Sequence, residues 1–206
     1  MDYNQIQEAM QELDEEVLLE LVEKAVAEGD VQQALAACQA GMEEVGKRFE
    51  EGEYFVGDLI FAGEIMVGAM EILKPALGGG GDAKYGKMIL CTVKDDLHDI
   101  GKNIVKAMLE AGGFEVLDLG IDVPPEKVVE TAKAENIKIV ALSGVLTLAL
   151  DSMKATVEAF KAAGMDDVKI IIGGCPVTEE ACKAMGADEW AYSPQKTVSI
   201  CQKWAS

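Results

Sequence analysis

The sequence predicts an α/β protein in two parts, a four-helix bundle followed by a doubly wound sheet of five parallel strands. Three observations lead there. Up to residue 76 the apolar residues recur with a helical period, and from Lys87 onward short apolar runs alternate with amphipathic stretches. Between them lies LGGGGDAKYG, residues 77–86, whose four consecutive glycines are costly to hold in one conformation.

The bundle reads in order. A short helix is expected near residues 4–13. In EVLLELVEKAVAEG the stripe Val17, Leu18, Leu21, Val22, Ala25 and Val26 stops at Gly29. Asp30 is placed to cap the next helix, which carries Val31, Ala34, Leu35, Cys38, Met42, Val45 and Phe49 on one face. The stretch FVGDLIFAGEIMVGAMEILK forms a fourth helix, apolar nearly all round and broken by Pro75. Gly57, Gly63 and Gly68 in or beside that helix leave two readings open: close helix packing, or something broad and flat lying against it.

In the second part the runs KMILCTV, FEVLDLG, IKIVALSG, VKIIIGG and EWAYS alternate with GKNIVKAMLEAGG, PPEKVVETAKAEN, ALDSMKATVEAFKAAGM, TEEACKAMG and QKTVSICQKW. Apolar strands separated by helices make βαβ units, and five of them suit the flavodoxin-like order 2-1-3-4-5. Such sheets bind ligands outside the carboxyl ends of strands 1 and 3.

Composition narrows the function. With 18 basic and 37 acidic residues the chain carries a net charge of −19, read as spread along the whole sequence. Such a surface repels phosphate backbones and anionic lipid, so no nucleic-acid or membrane partner is expected. MDYNQIQEAMQELDEE lacks the pattern of a signal peptide, and no apolar run reaches bilayer length, so the expected location is cytoplasmic. The five cysteines show no CxxC spacing and are read as thiols.

Three groups fall at the ligand-binding edge: Asp96, His98 and Gly101 after strand 1, Ser143 to Thr147 after strand 3, and Gly173 with Gly174 after strand 4. His98 is the single histidine of the chain. A carboxylate that accepts a hydrogen bond from one imidazole nitrogen fixes the tautomer and makes the other nitrogen a better metal donor. One histidine cannot hold zinc alone, so the metal must arrive already held by something else, as in a macrocycle with open axial positions.

At these residues the sequence resembles a known family. Asp96-Leu97-His98-Asp99-Ile100-Gly101 matches DxHxxG, the signature of cobalamin-binding domains, within TVKDDLHDIGKNIV. That string is similar to methionine synthase and to the corrinoid proteins of anaerobic methyltransferase systems. FEVLDLGIDVP, SGVLT and IIGG follow at compatible spacings, and GKRFEEGEYFVGDLI extends the resemblance upstream over nearly the whole chain.

The resemblance implies a helical cap at residues 1–76, a linker at 77–86 and a Rossmann-like cobalamin-binding domain at 87–206. The cofactor would be cobalamin or a related corrinoid, with His98 as the lower cobalt ligand and Asp96 hydrogen-bonded behind it; Asp99 and Ile100 share the signature loop. Gly101, Ser143, Val145, Thr147, Gly173 and Gly174 would line a slot for the displaced nucleotide tail. At its strand end, Gly174 is expected to tolerate a branched side chain without loss of the fold. Phe49 and Val56 fall where the family places cap residues over the upper face, with bundle core as the other reading. The implied function is that of a methyl carrier whose cob(I)amide takes a methyl group from a substrate-specific methyltransferase. The donor would be methanol, a methylamine or an aryl methyl ether. An acceptor methyltransferase would pass the group to tetrahydrofolate or a thiol, and a reductive activating protein would be a further partner. The cap must then move, and the glycines at 78–81 are the expected hinge.

The sequence departs from the family pattern at three places. Val145 stands where the family has leucine, and Asp95 where a glycine commonly precedes the signature aspartate. Ala149 occupies the position from which, in methionine synthase, a hydroxyl extends the Asp–His pair, so a proton relay is expected to be truncated. A radical-mutase cobalamin module shares DxHxxG but lacks the helical region. A receiver domain would need a phosphoacceptor aspartate where Ser143 stands.

Overall fold

The computed structural model describes residues 2–76 and 83–206, and the chain divides into two compact units, Met1–Asp82 and Ala83–Ser206. The first holds four helices among the described residues: α1 (Tyr3–Gln11), α2 (Glu15–Glu28), α3 (Val31–Glu50) and α4 (Val56–Ala76). Asp2 and Asp14 cap α1 and α2 by accepting from Asn4 N at 3.1 Å and Val17 N at 3.2 Å, and Gly29 ends α2 at φ 85°. The cap expected at Asp30 is not made by its side chain. Its carboxylate instead accepts from the Tyr3 hydroxyl, which pushes that phenol up to about 12.

Ile6, Met10, Leu18, Val22, Cys38, Met42, Val45, Ile65 and Leu73 form the buried centre of the bundle. Gly41 sets the approach of α1 to α3. A Cβ there would lie 2.5 Å from Met10 Cβ and 2.8 Å from the Gln7 carbonyl oxygen. Beyond the helix, the Tyr54 hydroxyl donates to the Gln11 carbonyl at 2.7 Å and Arg48 pairs with Glu12 at 2.7 Å, tying the α3–α4 turn to the end of α1. The apolar surround of α4 is only partly buried: Val56, Ile60, Phe61 and Val67 are exposed, as is Phe55 just before it. Close packing accounts for Gly68, whose added Cβ would touch Leu19 at 3.4 Å, but Gly57 faces open space. Pro75 lies within the last turn instead of breaking the helix before it. The expected hinge at 78–81 lies outside the described residues. Of the anticipated linker, residues 84–86 attach to the second unit: Tyr85 stacks on Phe114 at 5.3 Å, and Gly86 accepts from Glu115 N.

The charge is not evenly spread. Residues 1–82 hold 19 acidic and 4 basic residues, and residues 83–206 hold 18 and 14.

In the second unit β1 (Lys87–Thr92), β2 (Glu115–Asp118), β3 (Ile139–Ser143), β4 (Lys169–Gly173) and β5 (Glu189–Ala191) form one parallel sheet in the order β2-β1-β3-β4-β5. α5 (Asp99–Ala111), α6 (Pro125–Ala134), α7 (Ala149–Ala162), α8 (Glu179–Met185) and α9 (Pro194–Ala205) alternate with the strands. The central strands are buried on both faces, which is why they read as unbroken apolar runs. The register aligns Thr92, Ser143, Gly173 and Ala191 in one row, so four strands end together at the carboxyl edge.

Gly41→Val should destabilise the helical unit by about 1–3 kcal/mol, because α1 must move away from α3. Thermal unfolding followed by circular dichroism should show a lowered transition for that unit, with the sheet unit unchanged.

Candidate cofactor site at the carboxyl edge of the sheet

Beyond Thr92 the chain turns sharply, with Asp96 N donating to Val93 O at 3.1 Å and Asp95 in the left-handed region at φ 66°. This turn places Asp96 entirely out of solvent. Its Oδ1 accepts from the His98 backbone N–H and from His98 Nδ1, both at 3.0 Å. Its Oδ2 accepts from the amides of Val145 at 2.7 Å and Leu146 at 3.1 Å. Four donors thus occupy the four lone-pair positions of one carboxylate. Burial pushes the Asp96 pKa up, but the hydrogen bonds from the His98, Val145 and Leu146 amides and the His98 ring together pull it below the usual aspartate value. The group is therefore an acceptor, and Nδ1 is the imidazole nitrogen that carries the proton.

His98 is the N-cap residue of α5, and its side chain is 51% exposed. With Nδ1 committed to Asp96, Nε2 is the nitrogen left to bind a metal. Leu97, Ile121, Val145, Leu146 and Leu148, between 39 and 69% exposed, lie on the three loops that converge on Asp96, and Ile100, also exposed, lies in the first turn of α5. Exposed apolar side chains grouped in this way mark a ligand surface. Among the described residues no group of three or more His, Cys, Asp or Glu side chains could hold a metal ion. The donor set, one imidazole nitrogen with exposed apolar side chains on the adjoining loops, therefore fits a metal that brings its own equatorial ligands.

The expected slot residues divide by environment. Gly101, in the first turn of α5, faces open space, so its bare Cα leaves room for a ligand. Ser143 ends β3 half-buried, Thr147 is exposed in the following loop, and Asp99 and Ile100 are exposed at the start of α5. Gly173 is closely packed, with Ala191 O 3.2 Å from where its Cβ would be. Gly174 corrects an expectation. It has φ 125°, and a Cβ there would lie 1.9 Å from the Gly144 carbonyl oxygen, so a branched side chain cannot be accepted without disturbing the fold. Gly144 in turn lies against Ala149, the two Cβ positions being 2.5 Å apart. Ala149 is buried and offers the Asp–His pair no hydroxyl, and Asp96 already has its four donors.

Phe49 and Val56 belong to the helical unit, Phe49 half-buried and Val56 51% exposed, so neither is a fully buried core residue. Thr92 and Asp122 take part in the hydrogen bonds around Asp96 although sequence reasoning gave them no role, and Gly144 and Leu146, placed at the edge only within the range Ser143 to Thr147, supply backbone contacts. For Leu146 the contribution is a backbone amide, which leaves no mark on side-chain identity. The string SGVLT, which holds both Gly144 and Leu146, was the signal available.

A profile of the B12 binding domain matches residues 86–196, and a second profile of the same description matches residues 3–74. The chain belongs to the B12-binding corrinoid protein family. Across 93% of its length it is 37% identical to trimethylamine corrinoid protein 1 of Methanosarcina acetivorans, of which it covers 91%. A crystal structure of a cobalamin-binding protein from Desulfitobacterium hafniense DCB-2 is 53% identical and superposes with a TM-score of 0.87, covering 99% of this chain and 98% of that one. The methanol:cobalamin methyltransferase complex MtaBC from Methanosarcina barkeri contributes a chain with the same fold at 24% identity, TM-score 0.81, covering 98% of this chain and 78% of that one.

Two outcomes are expected. Gly174→Ala should lower the unfolding free energy of the sheet unit by at least about 1–3 kcal/mol through backbone strain, seen as a lower chemical-denaturation midpoint. Asp96→Asn should place an amide NH2 against N–H donors on one side, at a cost of about 1–3 kcal/mol. The folded pKa of Asp96 lies below its unfolded value. Its contribution to stability is therefore complete above about pH 4 and is lost as pH falls through the folded pKa. The stability difference between parent and Asp96→Asn, measured by urea titration, should shrink across that acid window and stay constant above it.

Proposed function

We propose that this chain is the corrinoid methyl-carrier subunit of a multi-protein methyltransferase. It takes a methyl group from a donor bound to one partner methyltransferase and delivers it to an acceptor, such as tetrahydrofolate or a thiol, on a second. The observation that carries this reading is the His98–Asp96 pair: an ionised, buried carboxylate holds Nδ1 and leaves Nε2 for a ligand, on a loop at the switch point of the sheet whose neighbouring loops carry exposed apolar side chains. When bound, the corrinoid supplies a cobalt centre that accepts and releases the methyl group. The chain's own residues hold and orient it.

In this reading His98 Nε2 is the lower axial ligand, and Asp96 keeps the ring in one tautomer and raises its basicity. Gly101, Ser143, Val145, Thr147, Gly173 and Gly174 border the tail slot, with Asp99 and Ile100 beside the ligand. Phe49 and Val56 are the cap residues of the upper face. Residues 1–76 act as that cap, and 87–206 as the corrinoid-binding domain. The trimethylamine and dimethylamine corrinoid relatives support a methylated amine as donor class, with methanol and aryl methyl ethers as comparators. A reductive activating protein would return the cobalt to its methyl-accepting state. No helix among the described residues is long and apolar enough to cross a membrane, in keeping with a carrier that meets its partners in the cytoplasm.

Reconstitution with hydroxocobalamin should give one bound corrinoid per chain, with nitrogen splitting in the electron paramagnetic resonance spectrum of its Co(II) state. His98→Ala should abolish the splitting and reduce methyl transfer from an amine methyltransferase by at least about tenfold. Splitting that persists in His98→Ala would overturn the ligand assignment. A parent protein that binds corrinoid but gives no transfer with any of the three donor classes would overturn the carrier reading.

A further inference from the structure

The string DLGID, residues 118–122, runs from the end of β2 toward α6; it carries Ile121 of the exposed apolar group, and its hydrogen bonds reach the loop that holds His98. We propose that this loop is a two-point brace that fixes the His98 loop from both sides, with Asp122 and the Lys102–Asp118 pair as positioning residues; the proposal rests on His98 being the axial ligand.

The first point of the brace lies before the histidine. Asp122 Oδ1 accepts from Asp95 N at 2.7 Å. The Asp122 N–H lies 3.0 Å from Thr92 Oγ1 and 3.1 Å from Asp96 O, and the Thr92 hydroxyl donates to Asp96 O at 2.6 Å. One residue of the neighbouring loop therefore binds the two residues, Asp95 and Asp96, that set the Asp–His pair. Asp95 and Asp122 both lie in the left-handed region, at φ 66° and 53°, where a residue with a Cβ stays only if its surroundings hold it. Each is held by the other's loop.

The second point lies after the histidine. Lys102, in the first turns of α5, is only 3% exposed and donates to Asp118 Oδ2. Asp118 Oδ1 accepts from Gly120 N at 2.9 Å, which curls the loop back toward Asp122. Burial pushes the Asp118 pKa up, but the Lys102 ammonium and the Gly120 amide bring it below the usual value, so the pair is ionic. Residues 95–96 and residue 102 are thus both tied to the loop 118–122, and His98 lies between the two ties. With both ends fixed, Nε2 would hold one position whether or not a corrinoid is bound to it. The brace therefore favours the histidine-on state by fixing the loop that carries the ligand. Asp95 contributes through its backbone N–H, a role that the glycine common in the family could fill equally well.

The test uses Asp122→Gly, which accepts φ 53° without strain but removes the carboxylate, and Asp122→Asn, which keeps an acceptor oxygen. In the protein without corrinoid, hydrogen–deuterium exchange of residues 95–102 should be at least about tenfold faster in Asp122→Gly than in the parent, and near the parent rate in Asp122→Asn. After loading with hydroxocobalamin and reduction to Co(II), Asp122→Gly should lose about half or more of the nitrogen-split signal, with corrinoid affinity within about threefold, and Asp122→Asn should restore it. Parent-like exchange and parent-like splitting in a folded Asp122→Gly would overturn the brace. If that variant fails to fold by circular dichroism, Asp118→Asn, which weakens only the second tie, must show the same two changes in smaller degree, and parent-like values there would overturn the proposal. The exchange measurement needs no cofactor. Failure of the brace is thereby distinguishable from failure of the ligand assignment, which His98→Ala tests.

Discussion

A carboxylate taken out of water must have its charge solvated by something else, and at Asp96 the substitute is four N–H donors drawn from two loops. Three of them are backbone amides, so the loops after β1 and β3 can keep their positions only while that anion sits between them. The fourth is the imidazole. The carboxylate thus does two things at once: it closes the carboxyl edge of the sheet into one piece, and it fixes which ring nitrogen is left outward. Structure and coordination chemistry rest on the same four bonds.

What allows those loops to meet is the row Thr92, Ser143, Gly173 and Ala191. Strands that stop at one level deliver their following loops to one place, and the two glycines after β3 and β4 then approach backbone to backbone, Gly174 against Gly144. The spacing of loops that meet through main chain is set by the sheet itself. A spacing set by rotamers would vary as the side chains turned. The apolar side chains on the surrounding loops face the opposite requirement: Leu97, Ile100 and Leu148 remain exposed although burial would stabilise them, as expected of residues kept for a ligand surface.

Much of this was legible in the sequence because the signals were local. Parallel strands covered on both faces leave unbroken apolar runs, helices leave a 3.6-residue stripe, and DxHxxG brings carboxylate and imidazole together within a single turn. The parts that escaped depend on contacts across the chain. Nothing in Leu146 says that its amide will solvate Asp96. Gly174 looks like any strand-end glycine until Gly144, thirty residues earlier, is seen to fill the space its Cβ would need. Asp30 has the residue type and position of a helix cap, yet Tyr3 competes for its carboxylate. Phe49 and Val56 fit a core stripe as well as an exposed one, and only the fold shows Val56 half in solvent.

The uneven charge gives the two units opposite electrolyte behaviour. With 19 acidic side chains against 4 basic ones, the helical unit folds against its own repulsion, and of its few cations Lys47 and Arg48 are already paired with Glu44 and Glu12. The sheet unit is nearly balanced and draws part of its electrostatics from attractive pairs such as Lys138–Asp167 and Lys169–Asp188. Added ions shorten the reach of both effects. They relieve the helices and weaken the surface pairs of the sheet, so rising ionic strength shifts the balance of stability toward the helical unit.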